Sequence, residues 1–307
     1  MDIHIVAKLP HGVDIDNLIE YLINFSWEAS EILLRYSQIL KKSDHAGDLI
    51  KTKDNKSPVT LADIKVNELI LERINNAYKN CKWDILSEES SMLNRSVSKE
   101  LKEWLWILDP LDGTKDFIQG TGNYAMHLAL NYNKKPYLGV VLIPEKNELW
   151  ISKGEKVWCE RRDGTHKIIP KPVRKEIKDM TIVTSKNHRN SYLENLIKKI
   201  KFKNVKIMGS IGCKIASLIR GESDIYISLS LPGQSCPKDW DFAAPEAILR
   251  SSGGAITNLD NQELSYNKVN YDQGGIIIAS NDIKTHKSKC KQIKAIIKEF
   301  NLFPIDN

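Results

Sequence analysis

The segment WILDPLDGTKDF, residues 106–117, joins a strongly apolar run to a cluster of carboxylates. The apolar run predicts a strand that is buried and ends at Leu108. Uncompensated carboxylates are costly at the end of a buried strand, so the fold has to provide for the charge of Asp109 and Asp112. The residues alone allow two interpretations: a site for a bound cation, or an ordinary type I turn with Asp and Gly at their favoured positions.

The residues that follow the apolar run predict a sharp bend. Pro110 fixes one backbone torsion and removes an N–H group, and Gly113 permits a tight turn. Such a bend can direct the carboxylates of Asp109 and Asp112, with the carbonyl oxygen of Leu111, to one point. These oxygen atoms are the ligands that hard divalent cations such as Mg²⁺ prefer. The register does not match an EF-hand, which disfavours a calcium loop.

Two other acidic segments are candidates to complete a cation site. LSEES places Glu88 and Glu89 at the end of a second predicted strand, and KDWDFAAPE carries Asp239 and Asp241 far along the chain. Glu89 fits either a supporting position or a solvated strand end. We expect Asp239 to be a surface charge and Trp240 to pack so that it holds Asp241. Only the fold can bring these segments together.

Asp63, in the segment SPVTLAD, has two interpretations. With Thr60 three residues earlier, it forms a capping-box pattern in which Asp63 accepts a backbone hydrogen bond at the start of a helix. The alternative is a catalytic function for the carboxylate. Considered on its own residues, the pattern favours capping.

Hydrophobic periodicity divides the chain into two halves. Residues 14–42 and 57–78 have the spacing of amphipathic helices, and short apolar runs over 82–170 predict strands. Beyond the linker candidate PKPVRKEIKD, strands and helices alternate, which is typical of an α/β unit. We therefore predict an α+β domain over residues 1–170, with most of the acidic segments, and an α/β domain over residues 171–307.

The composition argues against several classes of partner. The 307 residues contain 45 Lys and Arg against 39 Asp and Glu, a formal net charge of +6 without a dominant basic block, so a nucleic acid polymer is not expected. Five scattered Cys residues form no C-x-x-C pair, which favours reduced thiols. No apolar run reaches the ~18 residues of a membrane span, and a solvated face explains the basic C-terminal helix better than a membrane surface does. We expect a cytoplasmic protein without stable membrane association.

Taken together, SPVTLAD, ILSEES, WILDPLDGT and DWDFAAPEAILRSSGGAI resemble the inositol monophosphatase superfamily, the lithium-sensitive, Mg²⁺-dependent phosphatases of sugars and nucleotides. The resemblance extends from about residue 20 to residue 280. DPLDGTKDF and GSIGCKIASLIRGESDIY are most similar to the CysQ branch of 3'(2'),5'-bisphosphate nucleotidases. The implied fold is a layered α-β-α-β-α sandwich of the inositol monophosphatase and fructose-1,6-bisphosphatase type.

The resemblance also implies roles for particular residues around two or three Mg²⁺ ions. The implied catalytic pair is Asp63 with Thr114, which would orient and deprotonate the attacking water, and this outweighs the interpretation of Asp63 as a cap alone. The implied metal ligands are Glu88, Asp109, the carbonyl oxygen of Leu111, Asp112 and Asp241.

The same resemblance implies a set of contacts to the substrate. The residues concerned are Gly113, Thr114, His188, Ser210, Lys214 and Asp241. Among them, Lys214 is expected to meet a second phosphate, which the metals alone would not neutralise. The sequence departs from relatives that often carry an arginine shortly after the aspartate of DIY, because the region offers Ser228 instead. Lys238, Arg220 or Arg189 could then meet the 5'-phosphate, or the substrate differs.

Three functions remain open on the sequence. The leading one is a phosphomonoesterase that converts adenosine 3',5'-bisphosphate to AMP and phosphate in sulfonucleotide recycling. The second is an inositol or other sugar monophosphatase, which would keep the same metal ligands. The third is a catalytically idle regulator that binds a metal or nucleotide, although its expected mark, loss of a ligand or of the catalytic pair, is absent. A small-molecule phosphate ester is the expected partner, with a homodimer as a possibility.

Overall fold

A computed structural model of the chain describes residues 9–42, 49–52, 58–91, 102–185, 189–268 and 270–304. Two helices open the described part, and a short antiparallel ribbon lies between them in sequence. Their bounds are α1 Ile15–Lys42, β1 Ile50–Thr52, β2 Pro58–Thr60 and α2 Leu61–Ala77. The predicted helices over 14–42 and 57–78 are therefore confirmed, with the start of the second one displaced by the short strand β2.

The first sheet contains six strands in the order of the chain, β3 to β8. Only the pair β3 and β4 is parallel, and the following pairs are antiparallel. The bounds are β3 Asp84–Ser87, β4 Trp104–Asp112, β5 Ala125–Tyr132, β6 Lys135–Ile143, β7 Glu148–Lys153 and β8 Lys156–Glu160. Two short helices follow strand ends, α3 Glu88–Ser91 after β3 and α4 Thr114–Ile118 after β4. Because β3 and β4 are parallel, their acidic carboxyl ends lie at the same end of the sheet.

The second sheet contains five strands in the order β10-β9-β11-β13-β12. Its strands are β9 Thr181–Thr184, β10 Asn204–Ile207, β11 Ile225–Ser230, β12 Ala255–Asn258 and β13 Gly275–Ser280. The helices of this half are α5 Ser191–Ile200, α6 Ile211–Ile219, α7 Asp239–Ser251 and α8 Ile283–Glu299. The strand and helix alternation predicted for this half is confirmed, with β12 as an additional strand.

Three apolar clusters show how the elements form layers. One cluster joins α1 and α2 to a face of the first sheet. A second places α6 and α7 between the two sheets, and a third joins α5 and α8 to the outer face of the second sheet. The order helix, sheet, helix, sheet, helix confirms the predicted layered fold. Because the middle cluster is shared by both halves, the boundary between residues 170 and 171 stays a prediction.

The helices that the structure describes include none that is both long enough and apolar enough to cross a bilayer.

Candidate active site

The bend predicted after the apolar run lies at the end of β4. The pairing of β4 with β5 shifts register between Asp109 and Asp112, and the backbone N–H of Leu111 donates to Asp109 Oδ1 at 3.0 Å. Gly113 has a φ of 89°, in the left-handed region. A Cβ there would lie 3.0 Å from the carbonyl oxygen of Asn123 and 3.2 Å from the next close atom, a backbone nitrogen. The glycine is therefore needed both for the conformation and for the close approach.

Asp112 is held by the beginning of α6. Its Oδ2 accepts hydrogen bonds from Ser210 Oγ at 2.6 Å, Ile211 N at 2.5 Å and Gly212 N at 3.4 Å. Backbone N–H groups at a helix start favour a negative partner, so the start of α6 holds this carboxylate in place. The contact ties the end of a first-sheet strand to a helix of the other half.

Asp241 reaches the same place from the first turn of α7. Its Oδ2 accepts from the backbone N–H of Lys238 at 2.6 Å. Carboxylate oxygens of Asp109, Asp112 and Asp241 all lie within 4.8 Å of one another. Burial, followed by the charge of Asp112, raises the pKa of Asp241 well above its ordinary value. The structure thus brings together three of the predicted metal ligands from segments far apart in sequence.

The chemistry of this group fits a divalent cation. Three carboxylates at one point repel one another, and the charge of Asp112 adds to the effect of burial in raising the pKa of Asp241. Hard cations with oxygen ligands would remove the repulsion. The positive charge of Lys214 lowers the pKa of Asp241, but burial raises this pKa by more.

Glu88 and Leu111 lie next to the group of three carboxylates. Glu88 begins α3 directly after β3, and its charge contributes to the raised pKa values of Asp63 and Asp241. The carbonyl oxygen of Leu111 accepts from Thr114 Oγ1 at 3.1 Å. Both are therefore placed beside the cluster, and their function as ligands stays a prediction.

Asp63 combines the two roles that its sequence allowed. Its Oδ2 accepts from Thr60 N at 2.8 Å and Thr60 Oγ1 at 2.6 Å, which confirms the capping box at the start of α2. Its Oδ1 lies 3.4 Å from Thr114 Oγ1, so the predicted pair is brought into contact. Burial raises the pKa of Asp63 to about 7, against the hydrogen bonds from Thr60 and with help from the charges of Glu88 and Glu89.

His127 on β5 is a site residue that the sequence interpretation missed. The ring is fully buried, with Nδ1 3.3 Å from the carbonyl oxygen of Trp240 and Nε2 3.3 Å from Asp112 Oδ2. Burial lowers its pKa, so the ring is neutral at pH 7. The available signal was a single histidine within the apolar strand sequence AMHLALNY.

The residues predicted to contact substrate include two that are buried and one that the structure does not describe. Ser210 is buried and caps α6, and Lys214 is only 1% exposed, with Nζ donating to the carbonyl oxygen of Gly209 and lying 5.4 Å from the centre of the Tyr226 ring. His188 lies outside the described residues. The contacts of Gly113, Thr114, Ser210 and Lys214 with substrate stay predictions.

The candidate residues for a second phosphate have protein partners. Arg220 forms ion pairs with Glu148 and Glu222, and Lys238 forms one with Asp272. Arg220 is thereby committed to a buried network, which makes it a poor phosphate ligand.

The expectation for Asp239 was wrong. The side chain is fully buried, accepts from the backbone N–H of Asn267, and accepts from Gln273 Nε2 at 2.7 Å. It therefore anchors the loop after β12 against α7. Its apparent exposure in the sequence arose because charged residues are usually found at the surface.

Comparison with known proteins places this chain in a family. Residues 14–298 match the profile of the Inositol monophosphatase family, so the chain belongs to that family. It is accordingly a phosphoric monoester hydrolase.

Curated relatives give a finer likeness. The chain is 28% identical over 219 residues to the 3'(2'),5'-bisphosphate nucleotidase CysQ of Aggregatibacter actinomycetemcomitans, a match covering 71% of this chain and 78% of that protein. It is 27% identical over 219 residues to the CysQ of Escherichia coli K12, covering 71% and 83%. These matches support the CysQ-like branch.

Solved structures support the fold. The IMPase of Thermotoga maritima superposes with a TM-score of 0.70 at 20% identity, covering 92% of this chain and 99% of that one. An IMPase/NADP phosphatase complexed with NADP and Ca²⁺ gives 0.71 at 20% identity, covering 92% and 96%.

Proposed function

We propose that this chain is a Mg²⁺-dependent 3'(2'),5'-bisphosphate nucleotidase that converts adenosine 3',5'-bisphosphate to AMP and phosphate. The observation that carries the proposal is the convergence of Asp109, Asp112 and Asp241 beside the pair Asp63 and Thr114. The names of the CysQ relatives support the choice of substrate. On this proposal the enzyme serves sulfonucleotide recycling in the cytoplasm, as a monomer or a homodimer.

The acidic group would hold two or three Mg²⁺ ions. Asp109, Asp112 and Asp241 supply carboxylate oxygens at one point, and Glu88 with the carbonyl oxygen of Leu111 completes the ligand set. When bound, Mg²⁺ neutralises the phosphoryl charge and lowers the pKa of the attacking water. The protein contributes the fixed geometry, because α6 holds Asp112 and the first turn of α7 holds Asp241.

Thr114 and Asp63 would carry the proton of the attacking water. The single proton of the Thr114 hydroxyl has two acceptors within reach, the Leu111 carbonyl oxygen at 3.1 Å and Asp63 Oδ1 at 3.4 Å. When it is donated to Asp63, the hydroxyl oxygen can accept from a water on its other side. As the water oxygen bonds to phosphorus, its proton passes to Thr114 Oγ1, and the Thr114 proton passes to Asp63 Oδ1. The P–O bond to the ribose 3' oxygen breaks, and that oxygen takes a proton from solvent. A pKa of about 7 suits Asp63 as a base at neutral pH.

A sugar monophosphatase is the alternative that two observations favour. Lys214, the expected ligand of the second phosphate, is buried, and Ser228 stands where relatives often have an arginine. A substrate with one phosphate needs neither a lysine nor an arginine for a second phosphate. The metal ligands and the catalytic pair would be the same for both functions.

Phosphate release from four esters separates the two functions. Adenosine 3',5'-bisphosphate, AMP, inositol 1-phosphate and fructose 1,6-bisphosphate are each assayed with Mg²⁺ and with chelator. We expect Mg²⁺-dependent release with a kcat/KM that is highest for the bisphosphate nucleotide. A preference for inositol 1-phosphate would reject this substrate, and release from no ester with Mg²⁺ would reject the proposed function.

A further inference from the structure

We propose that His127 is a positioning residue that sets the separation of the Asp112 and Asp241 segments. The inference rests on the proposed metal site. It assigns His127 no contact with substrate and no proton transfer.

His127 lies next to each of the three segments that carry Asp109, Asp112 and Asp241. On the sheet, its Cα is the direct partner of Asp109 across the β4 and β5 pair. Its Nε2 lies 3.3 Å from Asp112 Oδ2, and its Nδ1 lies 3.3 Å from the carbonyl oxygen of Trp240, the residue before Asp241. The ring is fully buried, so solvent does not compete for these contacts.

One contact of the ring is a directional hydrogen bond. The contact with Trp240 is a hydrogen bond when Nδ1 carries the ring proton, because a carbonyl oxygen can only accept. The other ring nitrogen, Nε2, lies 3.3 Å from Asp112 Oδ2, so the ring also borders this carboxylate. Trp240 is therefore tied to β5 by the hydrogen bond, and the carboxylate of Asp112 is limited in its approach by the ring.

The packing around the ring explains why a side chain of this shape is needed. A Cβ at Gly212 would collide with His127 Nε2, so the ring fills the space that the glycine leaves at the first turn of α6. That turn also donates to Asp112. Movement of α6 towards β5 is blocked by the ring, and movement of α7 away from β5 breaks the bond to Trp240. The two ligands are thus fixed relative to each other through one side chain.

Substitutions can separate the hydrogen bond from the bulk of the ring. His127→Asn places an amide donor near the position of Nδ1. His127→Gln places the amide farther from the backbone, and His127→Leu fills space without a donor. If the bond to Trp240 sets the geometry, the Asn variant keeps it while the Gln and Leu variants lose it.

Binding of Mn²⁺ to the metal-free protein measures the geometry without relying on activity. For each variant, calorimetry gives the Mn²⁺ affinity, and the thermal midpoint shows whether the protein is folded. We expect His127→Leu and His127→Gln to bind Mn²⁺ about 10–100-fold more weakly than the parent, as is usual when a residue that orients a metal ligand is lost. His127→Asn should retain most of the affinity. In assays, the Gln and Leu variants should need more Mg²⁺ for half-maximal rate and recover much of kcat at saturation.

Several results would overturn the inference. Parent-like Mn²⁺ affinity in His127→Gln would do so, as would an equal loss in His127→Asn and His127→Gln. The Asn and Gln pair keeps the test decisive if His127→Leu does not fold. His286→Gln is the matched control at another buried histidine, and an equal loss of affinity there would also overturn it. Failure of the parent to bind Mn²⁺ would instead reject the proposed function.

Discussion

The carboxylates of Asp112 and Asp63 have different surroundings, and these suit them to different functions. Asp112 has one oxygen committed to the start of α6, so it is rigid, whereas Asp63 is buried with a pKa of about 7 and can exchange a proton near neutral pH. Rigidly held carboxylates suit metal binding, and groups with a pKa near the working pH suit proton transfer. The two kinds of carboxylate are linked through Thr114, whose Oγ1 lies 3.4 Å from Asp63 Oδ1 and which follows Asp112 by two residues.

Asp112→Asn tests the ligand role. The amide keeps the shape but removes the charge that a divalent cation needs. We expect phosphate release to fall by about two orders of magnitude or more, with a weaker Mg²⁺ response. Circular dichroism should show an intact fold. Substantial activity of this variant at saturating Mg²⁺ would remove Asp112 from the ligand set.

A pair of substitutions at Thr114 tests the proton path. Thr114→Val keeps the shape and removes the hydroxyl, whereas Thr114→Ser keeps the hydroxyl. We expect kcat to fall about 10²–10⁴-fold for Val, the range for loss of general base catalysis, and much less for Ser. Similar kcat values for the two variants would show that the hydroxyl carries no proton.

Helices and strands bring the site residues together. The position of α7, which carries Asp241, depends on its close packing against β6. A Cβ on Gly139 would lie 2.5 Å from Ala247 Cβ and 2.8 Å from the carbonyl oxygen of Ala244. Distances this short are not tolerated, so the helix that carries Asp241 rests directly on the sheet.

Gly139→Ala tests that packing. Because α7 must move outward, we expect the free energy of unfolding to fall by about 1–3 kcal/mol, as for other overpacked positions. Gly274→Ala is the matched control, since a Cβ there meets its nearest atom at an ordinary 3.7 Å. Urea unfolding of both proteins gives the comparison. Equal stability of the two variants would contradict the described contact.

At the scale of the whole molecule, a buried histidine predicts sensitivity to acid. His286 on α8 has Nδ1 2.8 Å from Ser280 Oγ and Nε2 2.8 Å from Thr257 Oγ1. Burial, with a smaller effect of Lys289, lowers its pKa from 6.5 to about 4. Between those two values the unfolded chain binds more protons than the folded one. Stability conferred by the neutral ring is therefore present above pH 6.5 and is lost as pH falls towards 4.

Thermal unfolding at pH 7 and pH 5 tests this dependence. Stability of the parent should fall by up to about 1.4 kcal/mol per pH unit through this group within that window. The His286→Gln variant has no titrating ring at this position. Its free energy of unfolding should therefore fall less between pH 7 and pH 5 than that of the parent, by the contribution of His286. Parallel declines in the two proteins would exclude His286 as the source.

Local sequence predicted much of this molecule because its strongest signals are local. The run before Asp109, the bend at Gly113 and the capping box of Asp63 each depend on neighbours within a few residues. The meeting of Asp112 with Asp241 depends on the packing of distant elements, and only the family resemblance indicated it. His127 and Asp239 could not be placed, because a buried polar group is identified by partners far away in the chain.

The anomalous signal from a crystal soaked with Mn²⁺ would show whether the three carboxylates bind a metal. We predict at least one Mn²⁺ bound by carboxylate oxygens of Asp109, Asp112 and Asp241, at about 2.0–2.3 Å as for similar oxygen-bound divalent cations. A soak in which Mn²⁺ binds elsewhere on the protein and leaves these three carboxylates without metal would contradict it.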